Sequence, residues 1–368
     1  MPAVPTYWDY LKLDQLLELQ GGLEGDEDQL LTDELHFIIV HQAYELWFKL
    51  VLRSMRLARN ALQKQRVDEQ TIPHVAHHLR RVNAIMKLGV QQFEVMETLT
   101  PQDFLDFRDK LMPSSGFQSF QMRELEILMG LEEAERIHYG GVDPIRHISE
   151  IASDTPAGRL ANARIAAVRE EQTLLSCVHQ WLYRTPVQGS TPSDPDDDAV
   201  VNRFIDEYLE ALDGSLDDNL ARLTSVLPDS TGMAQRFDTL RDAARAFLTA
   251  EGSHLPPEQR ERQKRIRAAA LFIESYRHLP LLSWPRLLLD VVVEMEEQLV
   301  LWRHRHARMV ERLIGRRVGT GGSGGVDYLD KTGRYRVFKD LWAVRTLMLP
   351  RKDLPAVQNA ERYGFTSD

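Results

Sequence analysis

Twelve histidines and one cysteine, Cys177, set the terms of any chemistry in this 368-residue chain. A single thiol makes neither an intramolecular disulfide nor a thiolate metal cluster. A reducing compartment is therefore expected, and a metal has to lean on imidazole or carboxylate. Two histidines stand out by their surroundings. His41 lies in FIIVHQAYELWFKLVL, where helical steps of three and four place Phe37, Ile38, Tyr44, Glu45 and Phe48 beside it. Taken alone, it reads first as a buried imidazole satisfied by a hydrogen bond, with a partner for a flat, mostly apolar ligand as the alternative. His306 shares its face with Met295, Leu299, Trp302, Met309, Val310 and Leu313, while His304, about 200° away around the helix, faces elsewhere.

The chain contains no HExxH or CxxC spacing, so a metal at His306 is held by one protein ligand. That is how a haem iron takes a proximal imidazole, since the macrocycle supplies the other four nitrogens. Arg108, in DFLDFRDKLMPSSGF, reads either as a guanidinium lying over Phe104 and Phe107 or as a bidentate fork for a carboxylate. GTGGSGG, Gly319 to Gly325, lacks the spacing of a phosphate loop. It is either a linker or a lid that offers the Thr320 or Ser323 hydroxyl to a ligand.

The elements that must position these residues are helices. Apolar residues recur at three and four over long windows, and glycine (21) and proline (17) collect at a few breaks. The periodicity predicts helices over 32–65, 71–98, 101–111, 116–139, 154–183, 198–212, 233–250, 256–276 and 285–315. Thr32 is the expected cap of the first, with Asp33 and Glu34 in its first turn. TPVQGSTPSDPDDDAVV, Thr185 to Val201, reads as an exposed loop. The expected architecture is one all-α bundle over 1–368, with a variable, functionally quiet insertion at about 185–254. With 45 basic and 55 acidic side chains, the net charge of −10 offers no footprint for nucleic acid or an anionic membrane. No run is long and apolar enough to span a bilayer and the N-terminus lacks a signal core, so the cytoplasm is the expected location.

Four segments in order, YWDYLKLDQLL, DELHFIIVHQAYELWFK, QQFEVMETLTPQDFLDFRDKLMPSSGFQSFQMRELE and LWRHRHARMVERLIGRRVGTGGSGGVDYLDKTGRYRVFKDLWAVRTLMLP, resemble the tryptophan 2,3-dioxygenase family. The resemblance spans Tyr7 to Pro350 and is weak between about Leu131 and Gln263. It implies an all-helical haem b enzyme, a homotetramer that opens the indole ring of L-tryptophan with O2 to give N-formylkynurenine. Carried over by motif, His306 is the proximal iron ligand and His41 the distal histidine that meets the indole N–H. Phe37 and Phe104 line the indole slot, and Arg108 holds the substrate carboxylate. Ser115 and Gly116 lie along the haem edge, and Thr320 helps hold the amino-acid end. The resemblance also gives Tyr7, Tyr10 and Leu11 to a neighbouring subunit's site. The lid has Gly324 where the family usually has serine, and Trp8 replaces a glycine or charged residue. Relatives in the same haem superfamily insert one oxygen atom, so mono-oxygenation of tryptophan, a methyltryptophan or another indole is the alternative reaction. A non-catalytic haem or indole sensor is the alternative of another class.

Overall fold

A computed structural model describes residues 4–138, 144–151, 155–227, 232–251, 254–322 and 324–364. Among them, backbone pairing outside helices and turns is limited to one antiparallel bridge between Val187 and Ser190, so the fold is all-α. The chain divides into two compact units. The first comprises Met1–Arg56, Arg80–Glu171 and Met295–Arg336, and the second Leu57–Leu79, Gln172–Glu294 and Val337–Asp368. Three long helices, Thr32–Leu62, Thr71–Met96 and Ser283–Ile314, contribute residues to both.

In the first unit the His41 helix, Thr32–Leu62, is lined by buried Val40, Tyr44, Phe48, Val51, Leu52 and Met55. Its apolar surface is nearly continuous, yet Ile39, Leu46 and Leu50 on another face are exposed, so the helix is not buried all round as the sequence suggested. Cross-links fix its rotation. The Tyr44 hydroxyl donates to the Gly89 carbonyl (2.7 Å) and Gln92 to the Val40 carbonyl (3.0 Å), both from the Thr71–Met96 helix. Gln121 donates to the Glu45 carbonyl (2.7 Å) and carboxylate (2.8 Å) from the Phe120–Met129 helix. Thr32 is the first helical residue, and Leu31 supplies the carbonyl that accepts the Glu34 and Leu35 amides.

The expected single helix over 116–139 is a 3-10 turn at Gly116–Gln118 followed by a helix at Phe120–Met129. Gly130 stops it with φ 117°, a left-handed geometry that a side chain resists. The expected helix over 154–183 is two, Pro156–Arg169 and Leu174–Arg184. The Thr173 hydroxyl restarts the chain by accepting the Ser176 amide (3.1 Å). The first of these packs on Phe120–Met129.

The second unit packs Asp197–Val226 against Met233–Thr249, and Pro257–Ser275 against Leu174–Arg184 and Lys339–Thr346. The Asp197–Val226 helix runs well past its expected end at 212. The segment 185–201 is not an exposed loop. Buried Arg265 pairs with Asp197 (2.7 Å) and donates to the Thr185 and Ser190 carbonyls (both 3.2 Å), which draws Val187, Gln188 and Ser190 inside. Among the described residues, no helix is long and apolar enough to cross a membrane.

Candidate active site

A cavity of about 720 Å³ lies within the first unit, between the His41 helix, the end of Thr71–Met96, the 110–123 segment, the His306 helix and Val326–Thr332. Its size suits a small-molecule or cofactor site. The periodicity reading of the His41 helix holds, because Phe37, Ile38, His41, Tyr44, Glu45 and Phe48 all border this cavity. The same cavity is also lined by Trp302, His306 and Met309 and by Phe93 and Met96, with Trp302 edge-on to Tyr44 (6.0 Å) and Phe48 (5.9 Å). Nearby, Gln20 and Gln42 bond to each other (2.7 Å), and Gln42 donates to the Leu19 carbonyl (2.8 Å). These bonds pin the stretch before Gly22 and Leu23 onto the His41 helix.

The His41 ring has a fixed tautomer. Its Nδ1 sits 2.7 Å from the Phe37 carbonyl, an oxygen that can only accept, so Nδ1 carries the proton. Burial pushes the His41 pKa down, against smaller raising effects from that bond and from Glu45. The neutral ring therefore keeps an unprotonated Nε2 as an acceptor. Phe37 lies 4.0 Å from His41, ring centre to ring centre.

His306 is neutral for the same first reason. Burial first, and then the neighbouring His41 imidazole, disfavouring a second proton, and the Arg303 and Arg123 guanidinium charges, push its pKa down to about 3. It lies between Trp302 (5.1 Å) and Phe93 (5.7 Å, planes within 12°). A single neutral imidazole on an apolar wall keeps its lone pair over the whole working pH range, as an iron ligand must. Two imidazoles from separate helices thus border one apolar chamber. Among the described residues, no group of three or more His, Cys, Asp or Glu could cage a metal ion. His304 is exposed, as its helical phase requires.

The glycine loop is clasped to the 113–115 turn. Thr320 borders the cavity and donates its hydroxyl to the Ser114 carbonyl (2.6 Å). A Cβ at Gly321 would stand 2.6 Å from the Ser115 Cβ, so only glycine permits this approach. Ser115 caps the following turn by accepting the Phe117 amide (3.3 Å), and Ser115 and Gly116 both line the chamber. Ser323 lies outside the described residues.

Other predicted site residues do not border the cavity. Phe104 is buried behind Phe37 (5.9 Å) and against Phe107 (5.4 Å). Arg108 donates from Nη2 to the Val318 carbonyl (2.6 Å), and its buried Nε has no hydrogen-bond acceptor. Tyr7, Tyr10 and Leu11 sit on the short helix Tyr7–Leu11, exposed by 71%, 80% and 41%.

Sequence reading missed a buried charge cluster at the cavity edge. Glu126 pairs with Arg123 (3.0 Å), Arg136 (2.6 Å) and Arg303, and Arg123 and Arg303 line the chamber. Burial opposes ionisation of Glu126, yet the three guanidinium groups together hold its carboxyl at about 2. QMRELE carries Arg123 and Glu126 at a helical spacing of three, a pairing legible in the sequence, but nothing local signals that Arg136 and Arg303 join them.

The sequence profile of the tryptophan 2,3-dioxygenase family matches residues 3–348. A protein of Sorangium cellulosum named tryptophan 2,3-dioxygenase is 45% identical over 98% of this chain and 87% of its own. Tryptophan 2,3-dioxygenase 2 of Ralstonia nicotianae is 44% identical over 99% and 98%. A tryptophan 2,3-dioxygenase of Bdellovibrio bacteriovorus is 35% identical over 98% of each. With similarity of this depth running through both histidine helices and the clasped glycine loop, this chain belongs to the tryptophan 2,3-dioxygenase family.

Proposed function

We infer that this chain is a haem-dependent dioxygenase that cleaves the indole C2–C3 bond of L-tryptophan with O2, giving N-formylkynurenine. The observation that carries the reading is the pair of neutral imidazoles, His41 and His306, that border one largely apolar chamber in a member of this family. The chamber fits haem b. His306 supplies one basic nitrogen, and Phe48, Phe93, Met96, Trp302 and Met309 supply walls for a flat macrocycle. Ser115 and Gly116, which line the same chamber, would border its edge. When bound, the ferrous iron contributes the O2 binding that no side chain provides.

The remaining work falls to side chains. Indole is electron-rich at C2–C3 and needs no protein nucleophile, so positioning and exclusion of water dominate. With Nδ1 committed to the Phe37 carbonyl, His41 offers Nε2 to the indole N–H, orienting the ring and able to hold its proton. Phe37 forms the slot wall, and Phe104 backs it. Arg108 has a sealed Nε awaiting an acceptor, which suits the substrate carboxylate, and Thr320 stands at the amino-acid end. Tyr7, Tyr10 and Leu11 are free to reach a neighbour's chamber in a homotetramer. The lone cysteine, already buried, fits a cytoplasmic enzyme.

The test is a single turnover of the reduced protein with L-tryptophan and doubly labelled O2. N-formylkynurenine carrying both labelled atoms is expected. A product with an intact pyrrole ring and one labelled atom would be mono-oxygenation, which the names of the relatives do not favour. Binding without turnover would make the protein a sensor.

A further inference from the structure

Arg123 and Arg303 border the chamber, and the reaction described above does not use them. Both are about 5% exposed, as is Arg136 at 4%, and all their ion pairs among the described residues go to Glu126. Three guanidinium groups on one carboxylate leave an excess of two buried positive charges. Arg136 is further satisfied by the Leu131 carbonyl (3.4 Å), and Arg303 lies 4.9 Å over the Tyr335 ring. Nε of Arg123 and Nε of Arg303 are sealed from solvent without a hydrogen-bond acceptor, while Nη1 of Arg123 is held by the Glu126 carboxylate as an ion pair (3.0 Å). Charge buried without a counter-ion is strongly unfavourable, so this corner of an otherwise apolar chamber calls for an anion. A guanidinium pair matches carboxylate geometry better than a point cation does.

We propose that Arg123 and Arg303 form a carboxylate subsite in the chamber, taking the acid side chains on the rim of the macrocycle that His306 ligates. The proposal rests on the haem reading. The occupant is flat and apolar over most of its area and anionic at one edge. The amino acid's own carboxylate is the other source of the same chemistry.

The experiment titrates the full chain, freed of cofactor, with haemin and separately with haemin dimethyl ester, following the Soret band. Wild type is expected to bind the free acid about tenfold or more tightly than the ester, the scale of one charge-assisted hydrogen bond. Arg123→Met and Arg303→Met bring that ratio towards unity, and Arg123→Lys keeps most of it. Because each ratio is taken within one variant, partial unfolding lowers both affinities and leaves the ratio readable. In haem-loaded protein, both Met variants leave the ratio of L-tryptophan to indole affinity unchanged. A shift in that ratio with the ester preference intact would assign the subsite to the amino acid and overturn the cofactor assignment. Equal wild-type binding of acid and ester would overturn the subsite and spare the haem reading. Binding of neither would overturn the haem reading, and the subsite with it.

Discussion

Gly321→Ala isolates the clasp between the glycine loop and the 113–115 turn. The added Cβ would lie 2.6 Å from the Ser115 Cβ, an atom fixed to the backbone that cannot swing aside. Ordinary carbon contacts are about 3.5–4.0 Å, so the loop must retreat by about 1 Å. The adjacent Thr320–Ser114 bond, now 2.6 Å, would open to a separation at which it no longer counts as a hydrogen bond. That loses about 1 kcal/mol, and residual overpacking adds about 1–3 kcal/mol. The expected result is a fall of roughly 30- to 700-fold in kcat/KM for L-tryptophan, carried mainly by KM. N-formylkynurenine formation over a range of L-tryptophan measures this, with the Soret band reporting unchanged haem loading. Removing the opposing atom tests the cause. Gly321→Ala with Ser115→Gly should regain most of the loss, because replacing the Ser115 cap by glycine costs only a few tenths of a kcal/mol. A single variant with wild-type KM, or a double variant no better than the single, would refute the clasp.

Arg108→Ala should weaken L-tryptophan binding about 10- to 100-fold more than binding of indole, read by equilibrium titration, since a charged hydrogen bond is lost only with the amino acid. Equal losses would contradict a carboxylate role. His306→Ala should abolish or shift the Soret band of the purified protein, and an unchanged spectrum would exclude it as the ligand. Glu126, held at about 2 in the fold against an ordinary 4.5, contributes stability that is present above pH 4.5 and is lost as pH falls towards 2. The amount is about 3 kcal/mol. Thermal melts of Glu126→Gln should therefore show lower stability at pH 7 and a flatter pH dependence in that window; curves parallel to wild type would show that Glu126 does not carry it.

The long helices were legible because their apolar stripes repeat over many turns, and Met233–Thr249 and Pro257–Ser275 end close to where the periodicity ends. Errors arose where a local signal competed with the stripe. Gly130 ended a helix whose apolar pattern carries on, because the backbone there turns left-handed. The expected helix over 198–212 stopped two residues short of Gly214, yet Gly214 sits inside Asp197–Val226 with open space around it, so only its modest propensity deficit opposed the helix. Tyr7–Leu11, Val326–Thr332 and Lys339–Thr346 are shorter than the window in which a period can be seen. The 185–201 segment looked exposed by composition, and Arg265, 68 residues beyond its Asp197 partner, buried it.

The same distinction between local and distant signals separates the parts of the site. His41 and His306 could be singled out because each carries its apolar neighbours on its own helix, and a helical step of three or four is written directly in the chain. The tautomer of His41 belongs to this class too, since its acceptor is the carbonyl four residues back. The clasp and the arginine cluster belong to the other class. Thr320 meets a carbonyl 206 residues earlier, and Arg303 meets a carboxylate 177 residues earlier. Neither meeting alters local hydropathy, and charge summed along the sequence gives −10 while the cluster at the chamber edge is positive. Net charge therefore offers no overall footprint for a polyanion and says nothing about the sign of an interior site. A buried group of this kind is visible only once the ion pairs can be counted in three dimensions. It was the excess of guanidinium over carboxylate, and no motif, that pointed to an anionic rim on the ligand.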